Sequence, residues 1–162
     1  MEESYFTLAL PFIQATKHVL STMAQVDPTP GKPFIKKGAT ATGDISAIVG
    51  LTGNKRGSIA LSFSRKCAIA ILKNMLGDDI EDVVKDTMDT VGELTNMISG
   101  QARAQLSQTG LNLTASTPTI IVGNNHRIEH MTTCTIIVIP FTTSNGDFSV
   151  EFSFECCSCA ND

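Results

Sequence analysis

Apolar residues recur at helical spacing over residues 11–23, where Phe12, Thr16, Val19, Leu20 and Met23 share a face and Pro11 stands near the first turn. The run Asp27-Pro28-Thr29-Pro30-Gly31-Lys32-Pro33 ends that pattern, because no helix crosses it. Residues 39–63 are strand-like. Gly53-Asn54-Lys55-Arg56-Gly57 forms a turn, and Ile59, Leu61 and Phe63 alternate with Ser58, Ala60, Ser62 and Ser64, which predicts a hairpin with one buried face. Helical spacing returns over 66–75 and stops at Gly77. A longer helix is predicted over 81–108, closed by Gly110. Strands follow over 113–122, 127–141 and 148–155, the last two joined through Ser144-Asn145-Gly146, a tight-turn signal.

The hexapeptide Ser58-Ile59-Ala60-Leu61-Ser62-Phe63 has a counterpart in Ser149-Val150-Glu151-Phe152-Ser153-Phe154. Either two alternating strands meet similar needs, or the chain is a twofold duplication of a helix-plus-sheet unit. The predicted class is α+β, a single domain over 1–162 with a mixed β-sheet covered by helices.

The long helix separates into two sides when counted at about 100° per residue. Val84, Met88, Val91, Ile98, Ala102 and Leu106 make one stripe, the expected core face. Glu93, Asn96, Gly100 and Arg103 lie within about 40° of Asp89, roughly opposite that stripe. Glycine in an exposed helix interior costs about 1 kcal/mol relative to alanine, so Gly100 reads as room for another backbone to approach. Asn96 is also a poor helix former at mid-helix. Without further context these residues make a solvated helix face.

Composition narrows the function. With 162 residues, folding hides roughly 69% of the extended chain's surface, enough for a core without staples. Hydrophobic residues at 42% and charged residues at 17% exclude a disordered chain. Twelve basic and 16 acidic residues give a net charge of −4 with no basic run, against a nucleic-acid binder. Met1-Glu2-Glu3-Ser4 is acidic where a signal peptide is basic, and no apolar run reaches membrane-spanning length, so a soluble cytoplasmic protein is expected. Cys67, Cys134, Cys156, Cys157 and Cys159 lack disulfide-framework spacing and are read as reduced thiols. His126 and His130 fall on a turn and a strand, which give them no shared face for a metal ion.

The run Asp89-Thr90-Val91-Gly92-Glu93-Leu94-Thr95-Asn96-Met97-Ile98-Ser99-Gly100, with Pro118 entering the next strand, resembles the Asp/Ser-x3-Glu-x2-Asn signature of the CheC/CheX/FliY phosphatases of bacterial chemotaxis. Supporting similarity lies in Pro11-Phe12-Ile13, Gly43-Asp44-Ile45-Ser46, Gly50-Leu51-Thr52-Gly53, Gly57-Ser58 and Thr117-Pro118-Thr119-Ile120-Ile121-Val122-Gly123. Among the asparagines, only Asn96 has a glutamate three residues before it. A single motif in the second half is most similar to the CheX branch.

That resemblance implies a phosphatase acting on a phosphorylated CheY-like receiver protein. Asn96 would orient the attacking water, Glu93 would pair with the receiver's active-site lysine, Asp89 would extend the contact, Gly100 would permit close docking and Pro118 would shape the strand behind the helix. No cofactor is implied in this chain, since the Mg2+ belongs to the receiver. The alternative is a receiver-binding adaptor without turnover. The resemblance also implies a homodimer paired through its sheets, for which residues 135–141 offer an almost continuously apolar strand limited at one end by Pro140.

Overall fold

The computed structural model describes residues 2–155. Helix α1 (Glu2–Ala24) is followed by short strands β1 (Thr29–Pro30) and β2 (Phe34–Ile35) and by the hairpin β3 (Ile45–Gly53) and β4 (Gly57–Phe63). Helix α2 (Arg65–Leu76) and a 3-10 turn at Gly77–Asp79 lead into α3 (Val83–Ser107). Strands β5 (Leu113–Ala115) and β6 (Thr119–Val122) precede the hairpin β7 (Ile137–Thr143) and β8 (Gly146–Phe154). The order helix, two short strands, long hairpin thus occurs twice.

The sheet repeats this relationship in space. Its order is β1-β7-β8-β4-β3-β5, with β2 also on β7 and β6 also on β3. Each half lends its short strands to the other half's hairpin. The two related hexapeptides lie side by side at the centre, pairing Ser58 with Ser153, Ile59 with Phe152 and Phe63 with Phe148. Every strand pairing is antiparallel, so the α+β class holds but the sheet is not mixed. Antiparallel pairing follows from joining long strands by tight turns, as at Gly146, whose φ of 116° suits a residue without Cβ.

Alternation sends Ile59, Leu61, Phe63, Val150, Phe152 and Phe154 to one face, where they meet α1, α2 and α3. Phe12 of α1 stacks on Phe152 at 4.8 Å between ring centroids, and Phe148 stacks between Phe63 and Phe141 at 4.9 Å each. The opposite face is buried as well. All seven residues of β4 are buried, because the segments 31–44 and 123–136 lie over Ser46, Ser58, Ser62, Ser149, Glu151 and Ser153. The expected hairpin with one buried face is therefore buried on both, under helices on one side and hydrogen-bonded loops on the other.

Three boundaries differ from the sequence pattern. Pro11 lies inside α1, which extends well ahead of it, and not near the helix start. The strand expected over 127–141 begins only at Ile137; before it, Arg127 makes a single bridge to Thr40. The strand expected over 113–122 is interrupted ahead of Pro118, a residue without an N–H for a ladder, and both pieces pair with β3. No helix among the described residues is long and apolar enough to cross a membrane.

Candidate active site

Helix α3 starts where the chain can satisfy its free amides. The Asp82 carboxylate accepts from the backbone N–H groups of Val84 and Lys85 at 3.1 and 3.2 Å, while Asp86 reaches back to accept from those of Glu81 and Asp82. The helix then lays Val91, Leu94, Ile98, Ala102 and Leu106 onto the core. Val84, expected in that stripe, is 65% exposed, and burial along the helix begins only at Thr87. Gly92 faces β6, where a Cβ would make an ordinary contact of 3.4 Å with Ile120 Cδ1.

The opposite side carries the candidate residues. Asp89, Glu93 and Asn96 are exposed and Gly100 is half-buried. Glu93 and Asn96 are three residues apart, about 4.5 Å along the axis, so their side chains leave the same face one above the other. None of Asp89, Glu93 and Asn96 has a hydrogen-bond or ion-pair partner among the described residues. A Cβ at Gly100 would meet only Arg103 Nη2, at 3.8 Å, so nothing within the chain requires glycine there. Pro118 is half-buried just before β6, whose Ile120 backs the helix at Gly92.

A second set of chemically versatile side chains lies under the loops. Ser58 Oγ is 2.6 Å from His130 Nδ1, His130 Nε2 is 2.8 Å from Glu151 Oε1, and Lys36 Nζ is 2.9 Å from Glu151 Oε2. The order hydroxyl, imidazole, carboxylate is that of a hydrolase triad, but His130 and Glu151 side chains are 1% and 0% exposed. Sealed from any substrate, the cluster pins the 123–136 segment and Lys36 to the sheet. Burial pushes the Glu151 carboxyl up, yet the hydrogen bonds and charges of His130 and Lys36 outweigh it and hold the group below its ordinary range. His126 has different partners, the Ser46 hydroxyl and the Gly123 carbonyl, each at 2.6 Å. Pairing pattern in the sequence does not reveal these partners, because all but Gly123 are distant along the chain.

The cysteines divide. Cys67 is free and buried, and burial raises its thiol pKa, which makes it inert. Cys134 is disulfide-bonded, which corrects the reading of all five as reduced thiols: sequence spacing is blind to a pairing that the fold brings about. Cys156, Cys157 and Cys159 lie outside the described residues. Among the described residues no group of three or more His, Cys, Asp and Glu side chains is placed to hold a metal ion.

Residues 45–142 match the family described as "Chemotaxis phosphatase CheX". The chain is 56% identical to a chemotaxis protein of Desulfovibrio vulgaris Hildenborough of known structure, with 92% of this chain and 97% of that one covered and a TM-score of 0.87. It is 25% identical over 130 residues to the CheY-P phosphatase CheX of Thermotoga maritima, covering 79% of this chain and 83% of that protein. The fold is shared with CheX in the CheX-CheY-BeF3-Mg2+ complex from Borrelia burgdorferi, at 24% identity, a TM-score of 0.77 and coverage of 91% and 97%. With the family match spanning more than half of its length and that fold reproduced nearly end to end, the chain belongs to the CheX family.

Proposed function

We propose that this protein is a chemotaxis phosphatase that removes the aspartyl phosphate of a CheY-like receiver by docking α3 into the receiver's active site. The observation that carries the reading is the isolation of Glu93 and Asn96: one face of α3 is locked into the core, and these two side chains leave the other without partners among the described residues. The CheY-P phosphatase activity named for the Thermotoga relative and the CheY complex of the Borrelia one support it.

In this mechanism the Asn96 carboxamide hydrogen-bonds a water in line with the phosphorus–oxygen bond to be broken. A neutral amide does so without setting a second negative charge against the phosphoryl group. Glu93 pairs with the receiver's lysine and sets the register of entry. Asp89 widens the contact, Gly100 lets the receiver's backbone come close, and Pro118 supports the strand behind the helix. The Mg2+ that neutralises the phosphoryl oxygens is the receiver's.

The test is loss of label from a phosphorylated CheY-type receiver. Asn96→Ala is expected to lower turnover by about 10² or more, roughly 3 kcal/mol of barrier, with thermal stability unchanged. Turnover near the wild-type rate in a folded mutant removes Asn96 from the mechanism, and a wild-type protein that binds the receiver without turnover is the adaptor instead.

Pairing of two copies loses its first ground, because β1 and β2 lie along the outer edge of β7. The homodimer reading now rests on β2, an edge strand whose Phe34 and Ile35 are 48% and 57% exposed. Light scattering at micromolar concentration is expected to give twice the chain mass; a single-chain mass that holds on tenfold concentration defeats the dimer.

A further inference from the structure

Arg103 follows Gly100 on the exposed side of α3 and is only half-buried. Its Nε is sealed from solvent without a hydrogen-bond partner. Its bond within the chain, from Nη1 to the Leu113 carbonyl, is long at 3.4 Å. The ion pairs of the described residues, Lys36 and His130 with Glu151, are on the other side of the sheet, so Arg103 has no carboxylate of its own. Nη2 lies 3.8 Å from where a Cβ on Gly100 would stand, which places the guanidinium back along the helix toward Asn96, the direction long helical side chains take. Arg103 is thus a cation on the docking face with no anion of its own among the described residues, its Nη2 turned toward Gly100.

We infer that Arg103 is a specificity-determining contact that takes a carboxylate on the receiver's surface, at the far end of the docking helix from Glu93. This rests on the proposed receiver-docking role of α3. Seven residues separate Arg103 from Asn96, about 10 Å along the axis. Even leaning back by a turn, the guanidinium stops short of the phosphoryl group that Asn96 addresses, so its partner is a surface carboxylate, which its fork fits bidentately. The docking face is then graded: Asp89 and Glu93 negative, Asn96 and Gly100 neutral, Arg103 positive. A helix entering in reverse would set Glu93 against the carboxylate and Arg103 against the receiver's lysine, two repulsions at once. The gradient admits the helix in one direction, the one that delivers Asn96 to the water.

The experiment is steady-state dephosphorylation of a phosphorylated CheY-type receiver by the full chain, at several salt concentrations, with thermal midpoints measured alongside. Arg103→Gln is expected to raise KM about tenfold with kcat within about twofold, Arg103→Glu about a hundredfold, and Arg103→Lys to stay within about threefold of wild type. The salt dependence of kcat/KM should be shallower in Arg103→Gln. If Arg103→Gln and Arg103→Glu keep the wild-type KM and salt slope, or lose only thermal stability, while Asn96→Ala abolishes turnover, Arg103 merely ties α3 to β5 and the inference is overturned. If the wild-type chain itself leaves the receiver phosphorylated, the receiver-phosphatase reading fails and this inference falls with it.

Discussion

At the scale of the residue, the candidate chemistry depends on two short side chains being left unused by their own fold. A surface glutamate at mid-helix commonly finds a lysine or arginine one turn away, worth a few tenths of a kcal/mol. Glu93 has no cation at that spacing: Asp89 and Thr90 stand before it, and Asn96 and Met97 after it. Its carboxylate is therefore free for an ammonium brought by a partner. Glu93→Ala should keep the fold, since the side chain is exposed, and should weaken receiver binding together with turnover. Calorimetric titration with the phosphorylated receiver checks this; wild-type affinity in the mutant would leave Glu93 without the anchoring role.

At the scale of the element, α3 carries two incompatible demands on its two faces and meets both by period. Thr90, Val91, Leu94, Thr95 and Ile98 are buried, and the Thr95 hydroxyl is satisfied by the Val91 carbonyl at 2.7 Å, while the buried Ser99 hydroxyl has no hydrogen-bond partner among the described residues. The exposed face is then free to carry a glycine. Gly100→Leu should leave thermal stability equal or higher, because leucine favours helix by roughly 0.8 kcal/mol over glycine and a Cβ there meets only the end of the Arg103 side chain, at an ordinary contact distance of 3.8 Å. Its bulk should still block the receiver, read as a rise in KM of about tenfold or more. Normal dephosphorylation by Gly100→Leu would mean that no backbone approaches α3 here.

At the scale of the whole molecule, stability is divided between an apolar layer under the helices and a polar layer under the loops. Removing Glu151 while keeping Lys36 leaves a buried ammonium with a neutral partner, so Glu151→Gln should cost on the order of 3 kcal/mol. The pH dependence follows from the lowered folded-state pKa. Between that value and the ordinary one, the unfolded chain binds the proton that the folded chain refuses. Stability from this group is thus complete above the ordinary carboxylate range and drains as pH falls below it. Thermal midpoints of the wild type should drop through that acid window more steeply than those of Glu151→Gln; parallel curves would show that Glu151 is not the group responsible.

Period and punctuation in the sequence were enough to locate the second and third helices to within about two residues, the two long hairpins, and the face of α3 that leaves Glu93, Asn96 and Gly100 outward. These are local properties: a 3.6-residue repeat and a glycine past a helix end act over a single turn of chain. The Glu-x2-Asn pair was legible for the same reason, since one helix fixes both positions. What period cannot report is which elements meet. The exchange of short strands between the halves and the burial of Ser58 and Glu151 under loops depend on residues far apart in the chain. Only the assembled sheet brings Lys36 and His130 to Glu151, and only there does an alternating strand with one polar face become a strand buried on both.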